Sequence, residues 1–329
     1  MSSEKSADLA ADTAARPDPA VPGRYHHELP DHWDYLLPSG GVVMTCALRA
    51  AEAHIADPPL RLASATTIFA SPIHPGPIIS DVHVIRRGRA ATQVRVTANH
   101  AKAGPPRGAL AREVRPILAS GGQAGDQSGL GPDDQGFELL ATFVRDRRGP
   151  DVVCAAPPAW ARSLADSLPT DDDSPTNPHA RFRFYAQLDC RLAAGDAFWR
   201  GDFAAGPARY ARWFRYRTPQ RDAEGRLDRL ALPPIIDTMP TALHRAIGPG
   251  PYRFFAPSLD LTTYTVDDTT REWLLVACTL RRARAGWAIG DAEVWDDEGR
   301  FIAYGSQAMY LHHLSGEPPV VDASRRPDE

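Results

Sequence analysis

The chain has 329 residues, enough for two domains of ordinary size, with 43% hydrophobic and 24% charged residues and a formal net charge of −4. That composition favours a packed core over global disorder, and the acidic balance gives no reason to expect a nucleic-acid surface. No run of about 18 apolar residues predicts a membrane span, and the N-terminus lacks the basic region and apolar core of a secretory signal. The four cysteines, Cys46, Cys154, Cys190 and Cys278, are scattered without a CxxC pair and read as reduced thiols of a cytoplasmic protein.

Residues 1–23 are rich in Ala, Ser, Asp and Pro without a period and are expected to be a disordered tail. His26, His27 and His32 follow among Glu28, Asp31 and Asp34. Their spacing matches no metal-ligand pattern and Pro30 interrupts any element that would align them, so a loop packed by Trp33 and Tyr35 is the better reading and no metal is expected. Ser39-Gly40-Gly41 opens a predicted helix near 41–55. Val42, Val43, Cys46, Ala47, Ala50, Ala51, His54 and Ile55 recur on one face, Ser39 suits the N-cap, and Pro58-Pro59 ends it. Strands are predicted over 60–69, 77–85, 91–98 and 137–145. Between the last two, residues 100–134 are too long and too rich in Gly, Pro and Ala for a hairpin loop and read as an insertion.

Residues 148–180 carry Pro157-Pro158 and Asp171-Asp172-Asp173 and read as a linker, with a short helix expected over 159–168. The second half, 181–315, includes a run with Arg212, Trp213, Phe214, Arg215 and Tyr216. Base stacking is conceivable there, but in an acidic chain a strand with one packed and one charged face is preferred. A second helix is predicted over 234–247, with Pro234 in its first turn and Gly248 at its stop; Pro240 counts against its continuity. Four β-type runs follow, led by Ala256 to Tyr264, Trp273 to Leu280, Gly290 to Trp295 and Phe301 to Gln307. Residues 316–329 read as a tail.

The order of helix, break and four strands occurs twice. Thr66-Thr67 corresponds to Thr262-Thr263, Arg86-Arg87-Gly88-Arg89-Ala90 to Arg281-Arg282-Ala283-Arg284-Ala285, and Leu139-Leu140-Ala141 to Phe301-Ile302-Ala303. A lone apolar helix followed by antiparallel strands buries its face most simply inside its own sheet. In this alignment Asp260 corresponds to Ser64 and Gln307 to Arg145, so one copy alone keeps a carboxylate and an amide.

The Gly40-Gly41 helix start, Ser258-Leu259-Asp260, Trp273-Leu274-Leu275 and the turn Asp297-Glu298-Gly299-Arg300 before the Gln307 strand carry a resemblance. Over residues 32–147 and 181–314 the chain resembles the double-hotdog acyl-CoA thioesterases of the thioesterase II type. The resemblance implies an α+β fold of two tandem hotdog units, 24–147 and 181–315, each a long helix wrapped by an antiparallel sheet. It implies an acyl-CoA or acyl-carrier thioester as substrate and no cofactor, and it leaves homo-oligomerisation open.

In that family an Asp, a Gln and a Thr or Ser hold a water against the thioester carbonyl. The resemblance puts Asp260 at the Asp, Gln307 at the Gln, and Arg281 where Thr or Ser is expected, with Thr279 as a substitute two residues earlier on the same strand face. A carboxylate serves as general base, an amide fixes the water, and backbone N–H groups at a helix N-terminus meet the oxyanion. Gly40 and Gly41 are therefore expected at the substrate, and Arg281 is a candidate for its phosphates. No G-x-S-x-G nucleophile motif is present. The rival readings are a non-hydrolytic hotdog enzyme, such as a dehydratase or a tailoring enzyme of secondary metabolism, and an inactive acyl-thioester-binding protein.

Overall fold

A computed structural model describes residues 7–100 and 136–324; the expected insertion lies almost wholly outside the described residues. The first half contains helix α1 (Leu9–Asp12), strands β1 (Arg16–Pro17) and β2 (Arg24–Leu29), helix α2 (Gly40–Ile55) and strands β3 (Leu60–Phe69), β4 (Gly76–Arg87), β5 (Ala91–His100) and β6 (Phe137–Arg145). Then come β7 (Leu168–Pro169), α3 (Pro178–Arg181), α4 (Arg183–Ala186), β8 (Leu188–Ala194) and β9 (Arg209–Tyr216). The chain continues through α5 (Leu232–Ile236), α6 (Thr241–Ile247), β10 (Arg253–Phe255), β11 (Asp260–Thr265), β12 (Leu274–Arg284), β13 (Trp287–Asp296), β14 (Phe301–Tyr310) and β15 (His312–Ser315).

Thirteen strands form one antiparallel sheet in the order β1-β2-β4-β5-β6-β3-β11-β14-β13-β12-β9-β8-β7. The halves meet where β3 pairs with β11, from Asp260 opposite Ile68 to Tyr264 opposite Ser64. Thr66 and Thr262 face each other across this seam, their hydroxyls 2.9 Å apart. Pairing the two half-sheets here removes an exposed edge from each. None of the helices among the described residues is long and apolar enough to cross a membrane.

Helix α2 is buried on nearly every side, from Gly41 through Leu48 and again at Ala50, Ala51 and Ile55. A helix apolar all round belongs inside a core, and α2 lies against β2, β4, β5 and β6. Helix α6 lies against β9 and β12, and α5 against β13, β14 and α2.

The internal repeat is visible in the strand registers. A β-bulge between Val84 and Arg86 recurs between Leu280 and Arg282. Matching the bulges puts Arg86 over Arg282, one residue from the sequence alignment of the arginine runs. With Thr66 placed over Thr262, their partners Leu140 and Ser306 also correspond. The first-half residue at the place of Gln307 is therefore Ala141, not Arg145.

The N-terminal segment corrects its expectation. Residues 7–23 dock against the first half. Leu9 is fully buried, β1 pairs with β2, and the Trp33 indole donates to Asp12 at 2.9 Å. His27 donates through Nδ1 to the Thr13 carbonyl at 3.2 Å and accepts from Ser80 at 3.0 Å; burial pushes its pKa down to about 4. Two glutamines from the second half receive the segment: Ala7 N–H donates to Gln187 at 2.8 Å and Ala10 N–H to Gln220 at 3.0 Å. Deleting residues 2–20 is accordingly expected to lower the melting temperature by several degrees. Loss of Leu9 burial alone costs about 1.5–3 kcal/mol, and each kcal/mol shifts Tm by roughly 2–4 °C in a chain of a few hundred residues. An unchanged thermal transition would show that the docking contributes nothing.

Residues 148–180 are not a bare tether. No helix forms over 159–168. Trp160, Ala161 and Leu164 instead pack on a cluster of Trp213, Leu275 and Trp295, where the Trp213 indole donates to the Arg162 carbonyl at 3.1 Å. The Pro157-Pro158 pair immediately before this stretch favours extended chain there.

Candidate active site

The helix expected over 234–247 is broken into α5 and α6, and the break forms the site. Pro240 has no N–H to give to the Ile236 carbonyl, which accepts from Thr238 N–H at 2.7 Å instead. Asp237 leaves helical geometry at φ −71°, ψ 37° and turns its carboxylate to the N-terminus of α2.

Four donors converge on that buried carboxylate. Ser39 Oγ donates to Oδ2 at 2.8 Å and Gly41 N–H to the same oxygen at 2.9 Å. Ser258 Oγ donates to Oδ1 at 2.9 Å, and Gln307 Nε2 donates to that oxygen as well. Ser39 thus makes no cap bond to its own helix; Asp237 caps α2 from across the molecule, where the helix dipole favours negative charge. Burial raises the Asp237 pKa above the ordinary carboxylate value, while the bonds from Gly41, Ser39, Ser258 and Gln307 pull it down.

Gln307 is 2% exposed. Its Nε2 also donates to Ser258 Oγ at 2.5 Å, and its Oε1 is buried without a partner among the described residues. The amide's orientation follows from Asp237, which accepts only. A buried acceptor without a protein partner is a place where a water or a ligand donor fits.

Gly41 is required by packing. A Cβ there would lie 2.2 Å from the Pro233 carbonyl oxygen and 2.6 Å from Pro234 Cα, so α2 and α5 touch backbone to backbone. Gly40 opens the helix, and a Cβ on it would sit 3.2 Å from Asp237 Oδ2.

Of the residues expected from sequence, Gln307, Gly40 and Gly41 lie at this cluster; Asp260, Thr279 and Arg281 do not. The register explains Asp260. Continuing the pairing of Thr262 with Ser306 brings Asp260 opposite Ala308, whose N–H donates to it at 2.8 Å. Ser258 bridges Met309 rather than Tyr310, a one-residue shift that exchanges sheet faces. Ser258 therefore shares the face of Gln307, and Asp260 takes the other. Thr279 pairs with Asp291, which pairs with Ser306, so it too lies opposite to Gln307. Arg281 is the extra residue of its bulge, and its guanidinium is engaged by Asp291, with one contact at 2.9 Å.

Sequence reasoning missed Asp237 and Ser258. The signal for Asp237 was Pro240, which marked a helix break with a carboxylate inside it. A cavity of about 180 Å³ elsewhere is lined by residues including Trp160, Arg162, Arg209 and Arg245 and does not border Asp237.

Comparison with known proteins matches the two halves in order. Residues 29–115 match the acyl-CoA thioesterase N-terminal domain and residues 164–311 the acyl-CoA thioesterase C-terminal domain. Among solved structures, a protein of unknown function with a hotdog fold from Alicyclobacillus acidocaldarius is 17% identical with a TM-score of 0.70, covering 95% of this chain and 98% of that one. An acyl-CoA thioesterase II from Mycobacterium marinum is 17% identical with a TM-score of 0.64, covering 94% and 100%. At that identity these likenesses carry the fold, the hotdog. No curated protein matches the chain. With both domain types matched in sequence order on a hotdog fold, the chain belongs to the acyl-CoA thioesterase family.

Proposed function

We propose that the chain is a pair of tandem hotdog units that hydrolyses acyl thioesters of coenzyme A or a related carrier, with water activated by Asp237. The observation that carries this reading is the unmatched, buried Oε1 of Gln307 beside Asp237 and Ser258. A water donating one hydrogen to Oε1 and the other to Asp237 would be held by two side chains. All acceptor sites of the carboxylate are taken by protein donors, so the water displaces one of them. Gln307 can yield, because its amide keeps Ser258 as a partner.

Asp237 takes the proton as the water oxygen bonds to the thioester carbonyl carbon. The Gly40 N–H, at the positive end of α2, is the proposed donor to the resulting oxyanion. Collapse breaks the carbon–sulfur bond, and the proton passes from Asp237 to the leaving thiolate. Products are a carboxylic acid and a free thiol, and no cofactor enters the balance.

The saturated carboxylate also favours a second reading, in which Asp237 is a structural cap and the chain binds acyl thioesters without cleaving them. Incubation with acyl-CoA esters of increasing chain length, read by a thiol reagent, separates the two. Thiol release at one or more lengths is expected; binding without release at every length would establish the second reading.

A further inference from the structure

Arg212 on β9 is 2% exposed, yet its partners are aromatic rings and neutral oxygens rather than a carboxylate. Its guanidinium lies over Tyr185, Tyr210 and Phe214 at 5.3, 5.4 and 4.9 Å from the ring centres. Nη1 donates to Tyr185 Oη at 2.6 Å, and Nη2 to the Thr238 carbonyl at 3.3 Å. Burying a cation is costly, and an apolar side chain of similar volume usually serves stability as well. Three ring faces offset only part of that cost. The contact with Thr238 gives the charge a different role.

Thr238 follows Asp237 in the helix break. In an unbroken helix its carbonyl would accept from Ala242 N–H, but that N–H goes to Met239 at 3.2 Å. The Thr238 carbonyl is met by side chains instead, Arg212 Nη2 and Thr241 Oγ1, the latter at 2.9 Å. We infer that Arg212 is a positioning residue: by holding the Thr238 carbonyl it fixes the Thr238–Met239 peptide plane, one residue beyond Asp237, and so keeps the break in the geometry that aims the carboxylate at Ser39, Gly41, Ser258 and Gln307. Its effect on rate rests on the proposed hydrolysis; its effect on the break does not.

The test compares the full-length parent with Arg212→Met, Arg212→Lys and Thr241→Val. Two readouts are used: kcat and KM for acyl-CoA, and amide hydrogen exchange of residues 232–241 followed by mass spectrometry. Arg212→Met should speed exchange in that segment while the centre of α2 stays protected. Its kcat should fall about tenfold to a hundredfold, the scale of a misplaced catalytic group, with KM within about twofold. Arg212→Lys should recover much of the loss, because an ammonium can still donate to the carbonyl. Thr241→Val should move both readouts less, in the same direction. A folded Arg212→Met with parental exchange and kcat overturns the inference. If Arg212→Met does not fold, Thr241→Val with parental exchange and kcat overturns it. If the parent releases no thiol, the hydrolytic reading fails and the exchange data alone decide the positioning role.

Discussion

Asp237→Asn is expected to reduce thioester hydrolysis by about 10²–10⁴, the usual loss when a general base is removed, while the protein stays folded. The substitution keeps the shape and removes the proton acceptor. Asn must turn its NH₂ either toward Ser39 and Gly41 or toward Ser258 and Gln307. A hydroxyl can reverse its bond, but the Gly41 N–H or the Gln307 amide is then left facing a donor, at a cost of roughly 1–3 kcal/mol. Relief from burying a charge opposes that cost, so the change in melting temperature should be small beside the change in rate. The pH dependence follows from the same environment. Burial raises the Asp237 pKa, so activity should be lost, as pH falls, at a higher pH than the roughly 3.9 of an exposed Asp would give. The linkage runs the other way for stability. The native state holds this proton more tightly than the unfolded chain, so this carboxyl favours folding at low pH and loses that contribution as pH rises through the raised value.

Gly41→Ala should damage both stability and rate. Its Cβ would meet the Pro233 carbonyl oxygen at 2.2 Å and Pro234 Cα at 2.6 Å. These are backbone atoms and cannot rotate away, so α2 and α5 must separate. Overpacking of this kind costs typically about 1–3 kcal/mol, read as a fall of several degrees in the melting temperature. Separation also pulls the Gly41 N–H from Asp237, now 2.9 Å away, and a displacement near 1 Å can cost about 10²-fold in rate. A variant with parental stability and turnover would mean that the helix contact yields without consequence. The two measurements distinguish this outcome from Asp237→Asn, which should move rate far more than stability.

The elements with local signals were legible in the sequence. Leu60–Phe69 and Phe137–Arg145 form strands with the expected bounds, because their alternation of buried and open positions is bounded by turn residues. Helix α2 was bracketed by Gly40-Gly41 and Pro58-Pro59. What failed depended on distant partners. The N-terminal segment is ordered by Gln187 and Gln220, far along the chain, and nothing in its own composition shows that. At the site, Ser258 and Asp260 are two residues apart and ought to share a face. The one-residue shift beside Met309 separates them, and a shift of register leaves no trace in composition or spacing. Asp237 was hidden differently: its neighbours Ile235, Ile236 and Met239 fit an apolar helix face, and its carboxylate gains meaning only when Ser39, Gly41, Ser258 and Gln307 are brought to it.

The most direct measurement is the initial rate of thiol release from one acyl-CoA by the parent, Asp237→Asn and Asp260→Asn at the same pH. The account predicts a parent that releases thiol, an Asp260→Asn variant within a few-fold of it, and an Asp237→Asn variant slower by about 10²–10⁴. Parental turnover in Asp237→Asn, with the loss falling on Asp260→Asn instead, would contradict it.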